Sequence, residues 1–229
     1  MNLTARSVLA VAAHADDEVL GAGGTLAEHV RAGDRVHVLV LSASATSRPG
    51  QSQDAIRAHR TDCVRQVAAL YGAEAEVADF PDNGFDTVAR LRITQTVEEA
   101  VRRWRPDVVY THSVADLSLD HRITAEATAA ATRPQPGCLV RTVLAWEVRS
   151  ATEWGTGTPF RPTWFQPLTP QALAVKEQAL KLYASEMRPW PHTRSAEALL
   201  AAARLRGAQI GCQAAEAFEV VRHTVTAPT

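Results

Sequence analysis

The segment AVAAHADDEVLGAGGTL, residues 10–26, joins an apolar run to a histidine and three consecutive acids. The apolar residues before His14 predict a buried strand, and the pattern after Glu18 predicts a helix. Asp16, Asp17 and Glu18 carry adjacent carboxylates that repel one another, so a compensating group is expected nearby. A divalent cation is one such group, because carboxylate oxygens are common ligands of divalent metals.

The same alternation of strand and helix continues through the first 150 residues. Each apolar, β-branched run is followed by a helical pattern, which predicts parallel βαβ units with helices on both faces of the sheet. The further strand-like runs are RVHVLVLS, AEVADF, PDVVYTHS and VRTVLAWEV, and the helical patterns cover 19–32, 53–71, 88–104 and 121–132.

The last third of the chain has a different composition. Residues 151–169 are rich in proline, glycine and aromatic side chains, which indicates a long ordered loop. Helical patterns follow at 170–186 and 195–206. Because no second core or internal repeat is evident, we expect residues 1–229 to form a single α/β domain with a C-terminal helical extension.

Composition limits the class of protein. The chain has 229 residues, is 46% hydrophobic and carries a net charge of −1, so neither a strongly basic nucleic-acid surface nor a membrane partner is predicted. No apolar stretch approaches the roughly 18 residues of a membrane helix. The three cysteines are widely spaced and indicate reduced thiols. These features predict a soluble cytoplasmic protein, and we expect a homo-oligomer.

Polar residues cluster where the predicted strands end. Ligands of open parallel sheets bind beyond the carboxyl ends of the strands, so these residues are the candidates for a site. In chain order they are His14–Glu18, Asp79, Asp82, Asn83, His112, Asp116, Ser118, Asp120, His121, Trp146, Glu147 and Arg149.

Three interpretations compete for the first acidic cluster. The glycines of GAGG at 21–24 lack the GxGxxG spacing of a dinucleotide site, and three carboxylates precede them where a pyrophosphate would bind. Asp16 or Asp17 could cap the following helix, which leaves His14 unexplained. Alternatively, His14 and Asp17 bind a metal together with His121 at the start of the fourth helix. Two histidines and one carboxylate leave zinc an open position for water. The residues alone leave capping and metal binding open.

Several separated motifs resemble one family. AAHADDE at 12–18 resembles the (A/P)HPDDE motif of the PIG-L/LmbE-like zinc-dependent N-deacetylases, and DLSLDHR at 116–122 resembles their second metal motif. FPDNGFDT at 80–87 and Arg60 also match. The stretch from 191 to 222 contains PHTRS, then RG, then AEAF, in the order of the family's C-terminal signature. The resemblance extends from the first strand to residue 222.

The resemblance implies a Rossmann-like fold and a hydrolytic zinc enzyme. One zinc ion per chain would be held by His14, Asp17 and His121, with Asp16 as the general base. The reaction would remove an N-acetyl group from an acetamido-sugar conjugate of the N-acetylglucosamine type, releasing acetate and a free amine. The Ala- and Arg-rich composition indicates a high-GC bacterial genome, in which natural-product biosynthesis is one possible pathway. The sugar would lie against Arg60 and Asp82, which match positions that face it in relatives.

The chain departs from the family pattern at three positions. Ala15 replaces the proline of the first motif, Cys63 stands where relatives carry a glutamate, and Ser118 stands where many carry a histidine. Because serine cannot act as an imidazolium, Asp16, Asp120 or His192 would have to supply the acid.

Neighbouring side chains carry weaker predictions. Asp120 and Ser118 would contact the metal ligands without binding the metal themselves, although Asp120 could instead cap its helix. His192 with Arg194 and Ser195 would line the substrate pocket, or this segment would form the cap of the last helix with Ser195 as N-cap. His112 is predicted to be a satisfied core histidine rather than a ligand. The other histidines are predicted at surface or strand-face positions: His29, His37, His59 and His223.

Other functions stay open at this stage. A metal-dependent amidohydrolase acting on a non-sugar amide would use the same residues. A binding protein that retained the fold without catalysis is another alternative. Trp146, Trp154, Trp164, Phe165 and Trp190 could form an aromatic wall for sugar rings, and we expect at least half of them to pack in the core or an interface instead.

Overall fold

The computed structural model describes residues 5–44 and 52–225 of the chain, and these ranges contain seven strands and six α-helices. The strands are β1 (Ser7–His14), β2 (Arg35–Ser42), β3 (Glu74–Val77), β4 (Val108–His112), β5 (Thr142–Trp146), β6 (Trp164–Pro167) and β7 (Ala215–His223). The helices are α1 (Asp17–Arg31), α2 (Gln53–Tyr71), α3 (Arg90–Trp104), α4 (Leu119–Ala131), α5 (Pro170–Leu182) and α6 (Ala196–Gln209).

The strands form one mostly parallel sheet in the order β3-β2-β1-β4-β5-β7-β6. The five strands from β3 to β5 are parallel, and β1 lies between β2 and β4. The predicted α/β doubly wound fold with helices on both faces is therefore confirmed. Because β1 and β4 are neighbours, the residues that follow them meet at one rim of the sheet.

The first strand is buried on both faces. Its even-numbered apolar residues, Val8 to Ala12, pack in the core under α1, α2 and α5, whereas Leu9, Val11 and Ala13 pack in the core under α3 and α4. Burial on both sides explains why β1 is continuously apolar rather than alternating. A strand fixed in this way gives the side chains at its end a rigid support.

The C-terminal part of the fold differs from the prediction. The predicted loop at 151–169 contains the edge strand β6, and residues 215–223 form β7, which no strand prediction covered. β7 runs antiparallel between β5 and β6. β6 has only four residues, is largely half-buried and ends at Pro167, so its periodicity is too short to recognise. The predicted helices are present as α5 and α6.

The helices α5 and α6 complete one side of the core. Ala179 and Leu180 of α5 and Leu199 of α6 share a hydrophobic cluster with β1 and α1. Cys63 of α2 lies in the same cluster, so the residue that stands in place of the family's glutamate packs on an apolar face of its helix. Across the described ranges, every helix is too short or too polar to cross a bilayer.

Candidate metal centre

Three residues from two neighbouring strand ends meet at the carboxyl rim of the sheet. His14 ends β1, Asp17 begins α1, and His121 lies in the first turn of α4. Asp17 Oδ2 is 3.4 Å from His14 Nδ1 and 3.3 Å from His121 Nε2. One ligand atom from each residue lies within 4.8 Å of the others, as a shared metal ion requires. The structure thus brings together the three ligands that the sequence predicts.

Local backbone features aim these side chains at one another. Asp16 has a φ of 111°, an unusual value for a residue with a side chain, and it turns the chain sharply between β1 and α1. Ser118 is the N-cap of α4, and its Oγ accepts a hydrogen bond from the His121 backbone N–H at 3.4 Å. Ser118 therefore supports a ligand through the main chain, and Asp120 is not the cap.

The donor set fits a divalent cation. Asp17 is fully buried, and its Oδ1 accepts no hydrogen bond from any residue that the structure describes. A buried carboxylate oxygen without a partner is costly, and a cation would satisfy it. Two imidazoles and one carboxylate are the ligands of hydrolytic zinc sites that keep a position open.

A second carboxylate stands behind each histidine. Asp120 Oδ2 lies 2.9 Å from His14 Nε2, and its Oδ1 accepts a hydrogen bond from the Phe85 N–H at 3.0 Å. Asp116 Oδ2 lies 3.1 Å from His121 Nδ1. Such carboxylates orient metal-binding imidazoles and fix the nitrogen that faces the metal. Asp120 thus occupies the supporting position predicted for it, whereas Asp116 was only one of many rim candidates.

His112 belongs to the core beneath the site. It forms an alternative close group with Asp116 and His121. However, the Ala13 N–H lies 2.9 Å from its Nε2, and the Trp146 indole N–H donates to its Nδ1 at 3.2 Å. Burial lowers the pKa of His112 to about 3. A neutral imidazole accepts a hydrogen bond at one nitrogen only, so Nδ1 accepts from Trp146 while Nε2, which lies 3.4 Å from Asp17 Oδ2, carries the proton. His112 is therefore a buried and partnered histidine, as the sequence predicted.

Asp16 lies beside the ligand group without belonging to it. Its carboxylate is buried, and its Oδ2 is 3.1 Å from Nη1 of Arg194. Burial raises the pKa of Asp16 to about 7, Arg194 opposes the shift, and the negative charge of Asp17 adds to it. A carboxyl group with a pKa near neutrality can both accept and return a proton at physiological pH.

Glu18 fixes the turn that carries Asp16. Its Oε1 accepts a hydrogen bond from the Tyr183 hydroxyl at 2.7 Å, and its Oε2 accepts one from the Asp16 N–H at 3.2 Å. The three consecutive acids therefore have three different environments: Asp16 pairs with an arginine, Asp17 faces the two histidines, and Glu18 is held by a tyrosine.

The histidines take up charge in the metal-free protein. Burial favours the neutral ring, yet hydrogen bonds to Asp120 and Asp17 outweigh it and raise the pKa of His14 to about 10. Burial is likewise outweighed by Asp17 and Asp116, which raise the pKa of His121 to about 9. A bound dication would replace these protons as the counter-charge of the acids.

The residues predicted to face a sugar have different positions. Asp82 is buried, and its Oδ1 lies 3.5 Å from His14 Nε2. Arg60 is also buried, and its Nε and Nη2 donate to Oε1 and Oε2 of Glu186 at 3.1 and 3.0 Å. Arg60 also donates to the Ser44 carbonyl. The structure thus brings Asp82 to the centre, and the substrate role of both residues stays a prediction.

His192 is exposed on the turn before α6. Its Nδ1 accepts a hydrogen bond from the Arg194 N–H at 3.0 Å, and Ser195 caps α6 as the alternative interpretation required. His192 therefore supports Arg194, whose guanidinium reaches Asp16. The sequence signal for Arg194 was the PHTRS motif, which did not indicate this contact.

The doubly wound sheet and the group of His14, Asp17 and His121 at its carboxyl rim define an α/β protein with side chains that could hold a metal ion. The chain belongs to the PIG-L family, because residues 9–132 match the family model described as GlcNAc-PI de-N-acetylase.

Its similar proteins include both hydratases and deacetylases. The chain is 32% identical over 133 residues to a 4-oxalmesaconate hydratase of Pseudomonas putida, an alignment that covers 53% of this chain and 49% of that protein. The chain thus spans about half the length of this curated relative. The structure of GalB, the 4-carboxy-2-hydroxymuconate hydratase of P. putida KT2440, matches with a TM-score of 0.80 at 24% identity over 98% of this chain and 99% of that one.

The N,N′-diacetylchitobiose deacetylase of Pyrococcus horikoshii has the same fold. It matches with a TM-score of 0.77 at 19% identity and covers 96% of this chain and 85% of that chain. At these identities the two structures establish the shared fold, and the reaction has to be argued from the site.

Proposed function

We propose that the protein is a zinc-dependent N-deacetylase that converts an acetamido-sugar conjugate of the N-acetylglucosamine type into acetate and a free amine. The observation that carries this proposal is the division of roles between adjacent acids. Asp17 faces His14 and His121, whereas Asp16 lies beside them and contacts Arg194. A metal hydrolase of this kind uses one set of residues to hold the metal and a separate group to accept the proton of the attacking water.

Each described group has a role in that reaction. A zinc ion held by His14, Asp17 and His121 would polarise the amide carbonyl and acidify a water molecule. Asp16 accepts a proton from the attacking water and returns it to the leaving nitrogen. Its buried position and its pKa of about 7 suit both steps. Asp16 is thereby our candidate for the acid that Ser118 cannot supply.

The arrangement of charges favours a neutral substrate. Among the described residues, three carboxylates lie within 3.5 Å of the ring nitrogens of His14, and two lie within 3.3 Å of those of His121. The guanidinium of Arg194 pairs with Asp16 beside this group. Even with a dication bound, the acids Asp16, Asp17, Asp82, Asp116 and Asp120 outnumber the positive charges. A substrate with several carboxylates would be repelled, whereas an uncharged acetamido sugar would not.

A hydratase acting on an unsaturated carboxylic acid is the second candidate. The identity to a 4-oxalmesaconate hydratase favours it. Its substrate would have to bind near several carboxylates, and the charge distribution around His14 and His121 argues against this. Assays of one protein preparation with an N-acetyl sugar and with an unsaturated carboxylic acid distinguish the deacetylase from the hydratase.

The experiment measures acetate release from N-acetylglucosamine and N,N′-diacetylchitobiose by zinc-loaded protein, with a chelator-treated sample as the control. We expect acetate release that disappears on chelation and returns with zinc. Hydration of 4-carboxy-2-hydroxymuconate without acetate release from any N-acetyl compound would contradict the proposal and support the hydratase.

A further inference from the structure

We infer that Trp154 and Trp190 form an aromatic rim on two sides of the metal centre and bind a sugar ring of the substrate, an inference that rests on the proposed function. Both side chains are 64% exposed, the highest exposure of any aromatic residue among those described. Single apolar side chains are common on protein surfaces, so the exposure of these two tryptophans carries weight through their place in the chain beside the proposed site. The two loops that carry them decide where the rim lies.

The loop carrying Trp154 is anchored to the ligand His121. Thr152, two residues earlier, donates its hydroxyl to Asp116 Oδ2 at 2.6 Å, and that oxygen lies 3.1 Å from His121 Nδ1. Two residues span at most about 7 Å of chain. A Cβ placed on Gly155 would lie 1.8 Å from the Ala115 carbonyl oxygen, so the loop packs directly on the chain that follows β4.

The loop carrying Trp190 is anchored to the general-base candidate. Arg194, four residues later, contacts Asp16, and four residues span at most about 14 Å. The segment is shorter than that limit because it is tightly turned. The His192 N–H donates to the Pro189 carbonyl at 3.1 Å, and the Ser195 N–H donates to the His192 carbonyl at 2.9 Å.

One contact joins the two loops. Arg194 Nε donates to Ser150 Oγ at 2.8 Å, while Nη1 of the same guanidinium faces Asp16. Ser150 begins the turn that leads into Trp154, and its N–H donates to Glu153 Oε1 at 2.8 Å. The two tryptophan loops therefore meet at Arg194 beside the candidate metal ligands, and we place their indoles at one mouth above this group.

The chemistry of this mouth matches a pyranose. Its floor presents carboxylates and histidines that can hydrogen-bond hydroxyl groups, and its rim presents two indole faces. A sugar ring has polar edges and C–H faces that pack on aromatic rings, so it can use both surfaces at once. An acyclic N-acetyl amine would reach the metal centre without contacting the rim.

The test compares Trp154→Ala, Trp190→Ala and Trp164→Ala. Trp164 is the matched control because it is 37% exposed and lies on the edge strand β6, which β5 and β7 separate from β4, with its ring 6.3 Å from that of His223. Binding of N,N′-diacetylchitobiose is measured by calorimetry on zinc-loaded protein, and acetate release is measured with this sugar and with N-acetylethanolamine. Thermal unfolding verifies that each variant is folded.

We expect Trp154→Ala and Trp190→Ala each to weaken sugar binding and raise KM about 2- to 12-fold, as loss of an aromatic contact predicts. The Trp164 variant and turnover of N-acetylethanolamine should be unchanged. Equal sugar affinity in all folded variants would overturn the rim. Sugar binding that depends on both tryptophans, without acetate release, would support the rim and contradict the deacetylase.

Discussion

Replacing Asp120 by asparagine isolates the support of one metal ligand. Both carboxylate oxygens of Asp120 are used: Oδ2 faces His14 Nε2 at 2.9 Å, and Oδ1 accepts the Phe85 N–H at 3.0 Å. An asparagine of the same shape has one acceptor oxygen and one NH₂ group. It can serve Phe85 or His14 but not both, so a buried donor is left facing another donor.

The expected losses of stability and zinc affinity follow from the one missing hydrogen-bond acceptor. A buried donor without an acceptor costs about 1–3 kcal/mol, and loss of a group that orients a metal ligand lowers metal affinity or activity about 10- to 100-fold. For a domain of this size, the stability loss corresponds to a fall in Tm of about 2–12 °C. Asp120→Asn should therefore weaken zinc binding and stability together.

The assay is a zinc competition titration against a chromophoric chelator, with Tm and kcat recorded on the same samples. Asp86→Asn is the control, because Asp86 lies on the same loop as Phe85 and is exposed. An Asp120→Asn variant with the zinc affinity and kcat of the wild type would refute the view that Asp120 positions His14.

Three further predictions address the surroundings of the centre. Arg194→Ala removes a charged hydrogen bond to the general base Asp16, so acetate release should fall about 10- to 100-fold. Zinc content, measured by elemental analysis, should stay the same. Loss of zinc would place Arg194 among the groups that hold the metal. Arg60→Ala removes the buried bidentate partner of Glu186 and should cost about 3–5 kcal/mol in denaturant unfolding. Arg57→Ala on the same helix breaks an exposed pair and should cost less than about 1 kcal/mol, so equal losses would contradict this reasoning. Burial lowers the pKa of His29 below 6.5, so the unfolded chain takes up the proton first and this contribution to stability is lost as pH falls below about 6.5. Between pH 7.5 and 5.5 the free energy of unfolding should fall more in the wild type than in His29→Gln, and parallel pH profiles would exclude this role.

The ligand group was predictable because its signals are local. His14 and Asp17 lie three residues apart at the end of an apolar strand, and the strand order places His121 next to them. The resemblance to the PIG-L family then separated a metal site from a helix cap. Periodicity also predicted β1 to β5 and all six helices, since the helices are long and β1, β2, β4 and β5 are almost fully buried.

Other features depend on contacts between distant parts of the chain. Arg194 meets Asp16 across 178 residues, and no local pattern indicates such a pair. His29 was predicted at the surface, but it is buried between Asp34 and Tyr110, so that prediction is wrong. The sequence around His29 gives no sign of burial, because the burial comes from the contact with Asp34 beyond the end of the helix. β7 was not predicted because its extended conformation depends on antiparallel pairing with β5 and β6, which the local sequence does not indicate.

The most direct test of the account compares the two adjacent acids. Asp16→Asn and Asp17→Asn differ by one position, and zinc content and kcat are measured side by side for both. We predict that Asp17→Asn loses zinc and is partly restored by added zinc. Asp16→Asn should keep zinc and lose about 10²- to 10⁴-fold in rate, the usual contribution of a positioned acid–base group. Loss of zinc in Asp16→Asn with full zinc in Asp17→Asn would reverse the assigned roles, and a fully active Asp16→Asn would contradict the proposed mechanism.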